Sequence, residues 1–352
     1  MQGEHGLDSS QGFGILAVLV GGILQGSFFL PMKFMGRWEW ENSWIGFSTV
    51  AYLIAPWLLA LTLIPHFPGL MQHVSIKAIV VTLLYGTGWG VGALAMGSAY
   101  KFVGMAITYA IVLGIASSIG TLVPLLVLAP AQAFSSQGLK VIAAVVISVI
   151  GTAVVSWAAW QRDSVKSNDA SRSAAAESQA RRNVVFGIVL CLAAGVLASF
   201  GNLGFAFGAE LSRKASEFGA GPTGSSSAIW SVLCFPVFLL NFLYCLYLLK
   251  KNKTAQRFRV QGTRYYWTLT AAMGVIWLAG MALYGAGALI LGKLGTSMGW
   301  VIFMTSIILI GNLLGLITGE WKGSSKRTLA TMMIGIAILV LAVAVAGTSG
   351  AT

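Results

Sequence analysis

The sequence predicts an all-α integral membrane protein made of two related halves. Of its 352 residues, 57% are hydrophobic and 9% are charged, and the mean hydropathy is +0.82. Soluble domains carry about 25% charged residues. A chain this apolar crosses the bilayer either as helices or as a closed barrel. Its apolar runs are continuous and show no alternation, which favours helices.

Ten segments are long enough to cross the bilayer, which takes about 20 apolar helical residues. They lie near residues 12–32, 43–64, 76–100, 103–128, 138–160, 184–209, 225–249, 265–290, 295–319 and 327–347. A polar stretch rich in Ser and Ala separates the fifth from the sixth, and it predicts a flexible cytoplasmic linker. The predicted organisation is a five-helix repeat over 12–160, a linker over 161–183 and a second five-helix repeat over 184–347.

The duplication is clearest in residues 86–124, which read GTGWGVGALAMGSAYKFVGMAITYAIVLGIASSIGTLVP. Shifted forward by 188 positions, and by three more in its second helix, this stretch falls on similar residues. The matched pairs are Trp89 with Trp277, Gly97 with Gly285, Gly104 with Gly295, Tyr109 with Trp300 and Gly120 with Gly311. Internal symmetry in a very apolar chain is typical of secondary transporters, whose substrate site lies where the repeats meet.

The positive charges predict the orientation of the chain. Seventeen of the 22 Lys and Arg residues lie in connections that follow odd-numbered spans. The positive-inside rule places those connections in the cytoplasm and both termini outside. A net charge of +12 could also indicate a nucleic-acid partner. No base-reading motif accompanies the charges, so we expect the bilayer and not a nucleic acid to be the partner.

The ionisable residues predict a neutral pathway. No Asp, Glu or His lies near the middle of a span. A charge there costs about 2.5 to 3.5 kcal/mol, and it usually marks an ion or proton path. Cys191, Cys234 and Cys245 lack the spacing of metal ligands, so we expect neither a metal nor a cofactor. The HExxH and GxSxG motifs are missing as well, which argues against an enzyme.

A neutral, polar substrate of small size points to a sugar. Trp89, Tyr109, Trp277 and Trp300 offer rigid aromatic surfaces for the apolar face of a pyranose ring. Sugar hydroxyls need polar partners when they are buried, and amide side chains can provide them. The predicted substrate-binding residues are Gln25, Tyr85, Trp89, Tyr109, Ser117, Asn202, Trp277, Tyr284, Trp300 and Asn312. Packing remains the alternative for each tryptophan, and Gln25 is either a helix-packing hydrogen bond or a pore ligand.

Three stretches give the sequence a family resemblance. They are LPMKFMGRWEWENSW after the first span, GTGWGVGALAMGSAYKFVGMAITYAIVLGIASSIGTLVPLL in the third and fourth spans, and GLITGEWK after the ninth. With these stretches the chain resembles the L-rhamnose-proton symporter family, part of the drug/metabolite transporter superfamily. The similarity runs from about residue 12 to residue 347.

The resemblance implies a ten-helix carrier with two inverted five-helix repeats. Its central cavity would be lined by spans 1, 3, 4, 6, 8 and 9 in a bacterial inner membrane. It would import a deoxy sugar with protons by alternating access, as a monomer or a weak homodimer. One stretch departs from the pattern, TSMGWVIFMTSIILI in the ninth span, and it leaves the sugar open. A metabolite or drug exporter of the same superfamily is the alternative function.

Glu210 is the predicted proton-coupling residue. It lies at the outer end of the sixth span, near the stripe that carries Asn202. We expect desolvation to raise its pKa toward neutrality, as a proton carrier requires. Glu41 and Glu320 are second choices, because both lie beside basic residues at the predicted inner surface.

Overall fold

A computed structural model describes residues 9–165 and 174–350, and all regular secondary structure in these two ranges is helical. The α-helices are α1 (Ser9–Ser27), α2 (Trp40–Ser48), α3 (Ala55–Leu63), α4 (Phe67–His73), α5 (Ile76–Leu128), α6 (Pro130–Ala133), α7 (Ser136–Val165), α8 (Ala174–Phe207), α9 (Ala209–Glu217), α10 (Pro222–Lys251), α11 (Tyr266–Ile290), α12 (Gly295–Ile317) and α13 (Lys326–Gly347).

Short irregular helices complete the fold. A π-helical turn over Thr49–Ile54 joins α2 to α3. Such turns insert an extra residue into a helix and are frequent at functional sites. The 3₁₀ turns are Leu30–Phe34, Ala255–Arg259, Gly292–Leu294 and Thr348–Gly350.

Nine helical segments of the described chain are long and apolar enough to cross a membrane, against ten predicted. The difference lies in α5, which has 53 residues and contains Gly104 with φ 77° and ψ 169°. Glycine reaches such positive φ values without the steric cost that other residues incur. A straight helix of 53 residues would be about 80 Å long, far more than the roughly 30 Å of a hydrocarbon core. Gly104 lies at the start of the predicted fourth span, four residues after the predicted end of the third.

The predicted linker lies only partly within the described residues. Residues 166–173 lie outside them. On either side, α7 continues to Val165 and α8 begins at Ala174, so helical structure reaches into both ends of the predicted 161–183 segment.

Glycines allow the long helices to approach one another closely. A β-carbon built on Gly21 of α1 would lie 2.7 Å from the carbonyl oxygen of Gly280 in α11. One built on Gly92 of α5 would lie 2.8 Å from the Leu197 side chain of α8. Because lipid is as apolar as the helices, close packing of small residues drives their association where the hydrophobic effect cannot.

Charged side chains join the helices at one end of the bundle. Lys33 Nζ, just after α1, lies 2.5 Å from Glu320 Oε1, just after α12. Arg162 of α7 approaches the other Glu320 oxygen at 3.9 Å and lies over the Trp321 ring. We call the end of the bundle that carries these residues the basic end. Close to it, the buried carboxylate of Glu41 accepts hydrogen bonds from Asn252 and Thr254.

We predict that Gly280→Ala lowers the stability of the purified protein. The new methyl group would lie 2.8 Å from the Gly21 carbonyl oxygen, so α1 has to move away from α11. Overpacking of this kind costs about 1 to 3 kcal/mol. Thermal unfolding in detergent measures the loss. Gly12→Ala in α1 is the matched control, because nothing lies within 4 Å of its β-carbon, and an equal loss in both variants would contradict the prediction.

Candidate functional site

An aromatic cluster occupies the middle of the bundle where the two halves meet. The Trp89 ring of α5 stacks on the Trp277 ring of α11, with centroids 6.0 Å apart and an interplanar angle of 26°. Tyr52 of the π-helical turn meets Trp277 edge-on at 4.8 Å. Trp277 is buried, so the structure places it in the interior and not against lipid. The residues matched by the sequence repeat therefore lie face to face.

Gln25 belongs to the same cluster. With its amide oxygen turned toward the indole, Gln25 accepts a hydrogen bond from Trp277 Nε1 at 2.7 Å, and its nitrogen donates to the Trp277 carbonyl oxygen at 3.2 Å. Both amide atoms thus bond to one residue of α11. Of the two alternatives from the sequence, the structure shows the helix-packing hydrogen bond.

A second cluster forms around Asn202 of α8. Its side-chain nitrogen donates to the Gly120 carbonyl oxygen at 2.7 Å and to that of Thr296 at 3.0 Å, and its oxygen accepts from the Tyr284 hydroxyl. The Asn202 side chain is fully buried. One amide therefore joins α8 to α5, α11 and α12.

Trp300 of α12 completes this second cluster by packing on Gly120 of α5. Its indole N–H donates to the Ala116 carbonyl oxygen at 3.1 Å. A β-carbon built on Gly120 would lie 2.4 Å from the indole nitrogen, so only glycine fits under the ring. The Tyr284 ring meets Trp300 at a centroid distance of 5.3 Å. The two clusters adjoin, because a β-carbon built on Gly201, next to Asn202, would lie 3.1 Å from the Trp89 ring.

The remaining predicted residues lie apart from the two clusters or bond to their own helices. Tyr85 packs between Phe200 and Phe207 of α8. The Tyr109 ring lies 5.8 Å from that of Tyr100. Asn312 donates to the carbonyl oxygen of Ile308, four residues earlier in its helix.

All three amides that were predicted to bind sugar hydroxyls make hydrogen bonds within the protein. Gln25 uses its oxygen and one N–H group on Trp277, and Asn202 uses both N–H groups and its oxygen. The Asn312 nitrogen bonds within α12. The partners of Gln25 and Asn202 lie on other helices, which the sequence pattern does not reveal.

Two hydroxyls in the second half of α5 are buried without a hydrogen-bond partner among the described residues. They belong to Ser117 and Thr121, which are 2% and 0% exposed. The two residues lie one turn apart on one face of the helix. They immediately follow Ala116 and Gly120, which contact Trp300. Burying a hydroxyl unpaired costs about 1 to 3 kcal/mol, so these two groups are suited to a polar ligand.

Glu210 does not have the properties expected of a proton carrier. It lies in the first turn of the short helix α9, beyond the end of the spanning helix α8. Its carboxylate accepts hydrogen bonds from the backbone N–H of Ser75 at 2.7 Å and from the Ser75 hydroxyl at 2.8 Å. These bonds, aided by the charges of Arg213 and Lys214, lower the pKa of Glu210 below its ordinary value. The expected rise in its pKa is wrong.

Two clefts open on the surface of the bundle, and no predicted site residue lines either of them. One, of about 200 Å³, lies at the end opposite to the basic end, between Gln11, Gln132, Lys293 and Met298. The other, of about 450 Å³, is apolar and separates α2 and the π-helical turn from α10 and α11. The predicted residues belong instead to the packed interior between the two halves.

We predict that Asn202→Ala destabilises the protein strongly. The change leaves the Tyr284 hydroxyl and the carbonyl oxygens of Gly120 and Thr296 without their buried partner. The unfolding free energy should fall by about 2 kcal/mol or more. Asn312→Ala is the matched control, because its amide bonds only within its own helix, and its loss should stay below about 1 kcal/mol. Thermal unfolding of both purified variants tests this, and equal losses would contradict it.

The family model and the similar sequences agree on one family. The sequence matches the family described as L-rhamnose-proton symport protein (RhaT) over residues 7–352. Proteins named L-rhamnose-proton symporter from Yersinia pestis (strain Pestoides F) and Yersinia pseudotuberculosis (serotype O:1b, strain IP 31758) are each 25% identical to it over 346 residues. The alignments cover 95% of this chain and 96% of theirs. A solved crystal structure covers 97% of the chain at 14% identity, with a TM-score of 0.49. Because the family match spans nearly the whole sequence, the chain belongs to the family of L-rhamnose-proton symport proteins.

Proposed function

We propose that the protein imports a neutral deoxy sugar, L-rhamnose or a close relative, together with protons by alternating access. The family match over residues 7–352 is the observation that carries this proposal. The names of the Yersinia relatives indicate the sugar and the coupling ion. The uncharged interior, where aromatic rings and hydroxyls meet, suits a neutral polyol.

We further propose ten spanning helices in two inverted repeats, 12–160 and 184–347, joined by the segment 161–183. The break at Gly104 supports counting α5 as two spans. By the distribution of Lys and Arg, the basic end faces the cytoplasm of a bacterial cell, and both termini face the periplasm.

Matched glycines support the inverted relation of the repeats. The shift that matches Trp89 with Trp277 also matches Gly86 with Gly274 and Gly92 with Gly280. Gly86 packs against α10, the second helix of the second repeat, and Gly274 packs against the π-helical turn, in the second span of the first repeat. Gly92 packs against α8 and Gly280 against α1, which are the first spans of the two repeats. The contacts of these four glycines between the halves thus have counterparts.

The sugar site proposed here combines the stacked pair Trp89 and Trp277 with the hydroxyls of Ser117 and Thr121. The rings offer flat apolar area for the C–H face of a pyranose. The unpaired hydroxyls can donate to and accept from the sugar. Two contacts of neighbouring residues support this combination. A β-carbon built on Gly201 would lie 3.1 Å from the Trp89 ring, and the Asn202 side chain donates to the carbonyl oxygen of Gly120, the residue before Thr121.

Uptake into proteoliposomes tests the transport proposal. Radiolabelled L-rhamnose should accumulate when the outside is made acidic, and a protonophore should abolish the accumulation. L-Fucose and an uncharged amino acid serve as competitors that define the substrate class. Acceleration of efflux with no accumulation in the presence of a proton gradient would indicate an exporter of the same superfamily and contradict the proposal.

We predict that the double variant Ser117→Ala/Thr121→Val raises the KM for the sugar about tenfold or more, because two hydrogen bonds of about 1 kcal/mol each are lost. Thermal stability should not fall, since neither hydroxyl has a partner within the described protein. Ser148→Ala is the control with the reverse pattern. Its hydroxyl bonds to Thr305 at 2.8 Å in the interior, so stability should fall while the KM stays unchanged.

For proton coupling we propose Glu320 in place of Glu210. The charge of Glu320 attracts Lys33 and Arg162, and those contacts join α12 to α1 and α7 across the basic end. A change in that charge therefore alters contacts between helices of both halves. Glu210, by contrast, accepts two hydrogen bonds from Ser75 at the other end of the bundle.

We predict that Glu320→Gln abolishes proton-driven accumulation but retains exchange of labelled for unlabelled sugar, since the neutral side chain can no longer take up a proton. Glu210→Gln should retain both activities. Initial rates with and without a pH gradient measure the difference. Loss of accumulation in Glu210→Gln alone would reverse the assignment.

A further inference from the structure

The second half of α5 and helix α12 meet in an antiparallel register that pairs the repeat-matched residues. Tyr109 and Gly120 are eleven residues apart on α5, and so are Trp300 and Gly311 on α12. Eleven residues are close to three full helical turns, so each pair shares one face of its helix. Trp300 lies on Gly120. The same register therefore sets Tyr109 opposite Gly311.

Only one of these two pairs is in contact. Gly120 is buried under the Trp300 ring, and the indole donates to the Ala116 carbonyl oxygen. Gly311, its counterpart, is exposed, and nothing lies within 4 Å of a β-carbon built on it. The Tyr109 ring is turned instead toward Tyr100, with the ring centroids 5.8 Å apart.

A second matched pair differs in the same sense. Gly285 of α11 is buried, and a β-carbon built on it would lie 2.7 Å from Ser226 and 2.9 Å from Trp230 Nε1 of α10. Its counterpart in α5, Gly97, is exposed with nothing within 4 Å. In both pairs the packed member lies toward the end opposite to the basic end, and the open member lies toward the basic end.

The middle of the bundle lacks this asymmetry. The matched glycines Gly86 and Gly274 are both buried with close contacts, and so are Gly92 and Gly280. Trp89 and Trp277 are matched with each other, so exchanging the two repeats leaves the contact between them unchanged. Contacts near the midplane are thus the same in the two repeats, and the contacts nearer the two ends differ.

From this pattern we propose that Trp300 with Gly120 and Tyr109 with Gly311 are the two gates of the carrier. In the structure the first gate is closed and the second, toward the basic end, is open. In the opposite state Tyr109 leaves Tyr100 and covers Gly311, while Trp300 leaves Gly120. The inference rests on the proposed transport function, because only alternating access requires the two contacts to exchange.

The position of Gln25 fits this exchange. In the first spans of the two repeats, a shift of 177 positions sets Gly21 on Ala198 and Gln25 on Asn202. Asn202 fastens the closed gate through the Gly120 carbonyl oxygen. Gln25 is bonded to Trp277, one helix away from the open gate, and Gly26 beside it contacts Ile310 of α12. By symmetry, Gln25 fastens Gly311 when the second gate closes.

Cysteine labelling of purified protein in detergent reads out the two gates separately. Cys191, Cys234 and Cys245 are first replaced by serine or alanine, since all three are buried and unpaired. Gly97→Cys then reports opening at the basic end, and Ser226→Cys reports opening at the other end. In the starting protein a maleimide should react rapidly with Gly97→Cys and slowly with Ser226→Cys.

Substitutions in the two gates should shift the labelling rates in opposite directions. Gly120→Ala obstructs the closed gate, so labelling of Ser226→Cys should rise about tenfold and that of Gly97→Cys should fall. Gly311→Ala obstructs only the closed form of the other gate, so Ser226→Cys should become more protected. Tyr109→Leu, which adds no β-carbon, should act like Gly311→Ala. Gly347→Ala in α13, also in open space, is the control and should leave both rates unchanged.

The outcomes separate the gate proposal from the transport proposal. Labelling needs no substrate. Opposite shifts in labelling without L-rhamnose transport would therefore support the gates and contradict the proposed substrate. Transport with shifts in the same direction, or with no shift in monodisperse Gly120→Ala and Tyr109→Leu proteins, would overturn the gates and leave the function standing.

Discussion

Close approach of helix backbones at glycine is the constraint on which the rest of the structure depends. Inside a bilayer no water competes for backbone groups, so each helix satisfies its own and gains little by burying apolar surface against another helix. Gly21 against Gly280 and Gly92 against Leu197 bring the first helix of each repeat into backbone contact with the other repeat. This contact places the aromatic and amide side chains between the halves.

Once the helices are this close, most of the buried polar groups find partners in the protein. Asn202 forms hydrogen bonds with groups on three other helices. Gln25 accepts from the Trp277 indole N–H and donates to the Trp277 carbonyl oxygen. These amides hold helices in place, which is a different task from binding a ligand. Against this background the unpaired hydroxyls of Ser117 and Thr121 stand out, because leaving them unpaired costs free energy that a ligand can recover.

The sequence predicted the helical membrane fold, because apolar length is a property of single segments. The internal repeat singled out two of the tryptophans. Trp89 and Trp277 were matched by the repeat, and they are in contact. The partners of Gln25 and Asn202 could not be predicted, since they lie on helices far apart in the chain. The expected pKa of Glu210 was wrong for a related reason. Its pKa depends on Ser75, 135 residues away in the sequence, and no local pattern shows that the two meet.

The two gates explain how one chain could hold two states of similar free energy. In the present state Trp300 covers a glycine and donates one hydrogen bond to α5, while Tyr109 packs on Tyr100. In the opposite state Tyr109 would cover a glycine in its turn. One aromatic contact and one hydrogen bond are then exchanged for a similar pair, whereas the glycine contacts at the midplane persist. A carrier needs such near balance, because a ligand can shift an equilibrium only by its difference in affinity for the two states. If the two states differ in free energy by a few kcal/mol, the binding of a sugar and a proton is enough to shift the bundle from one state to the other.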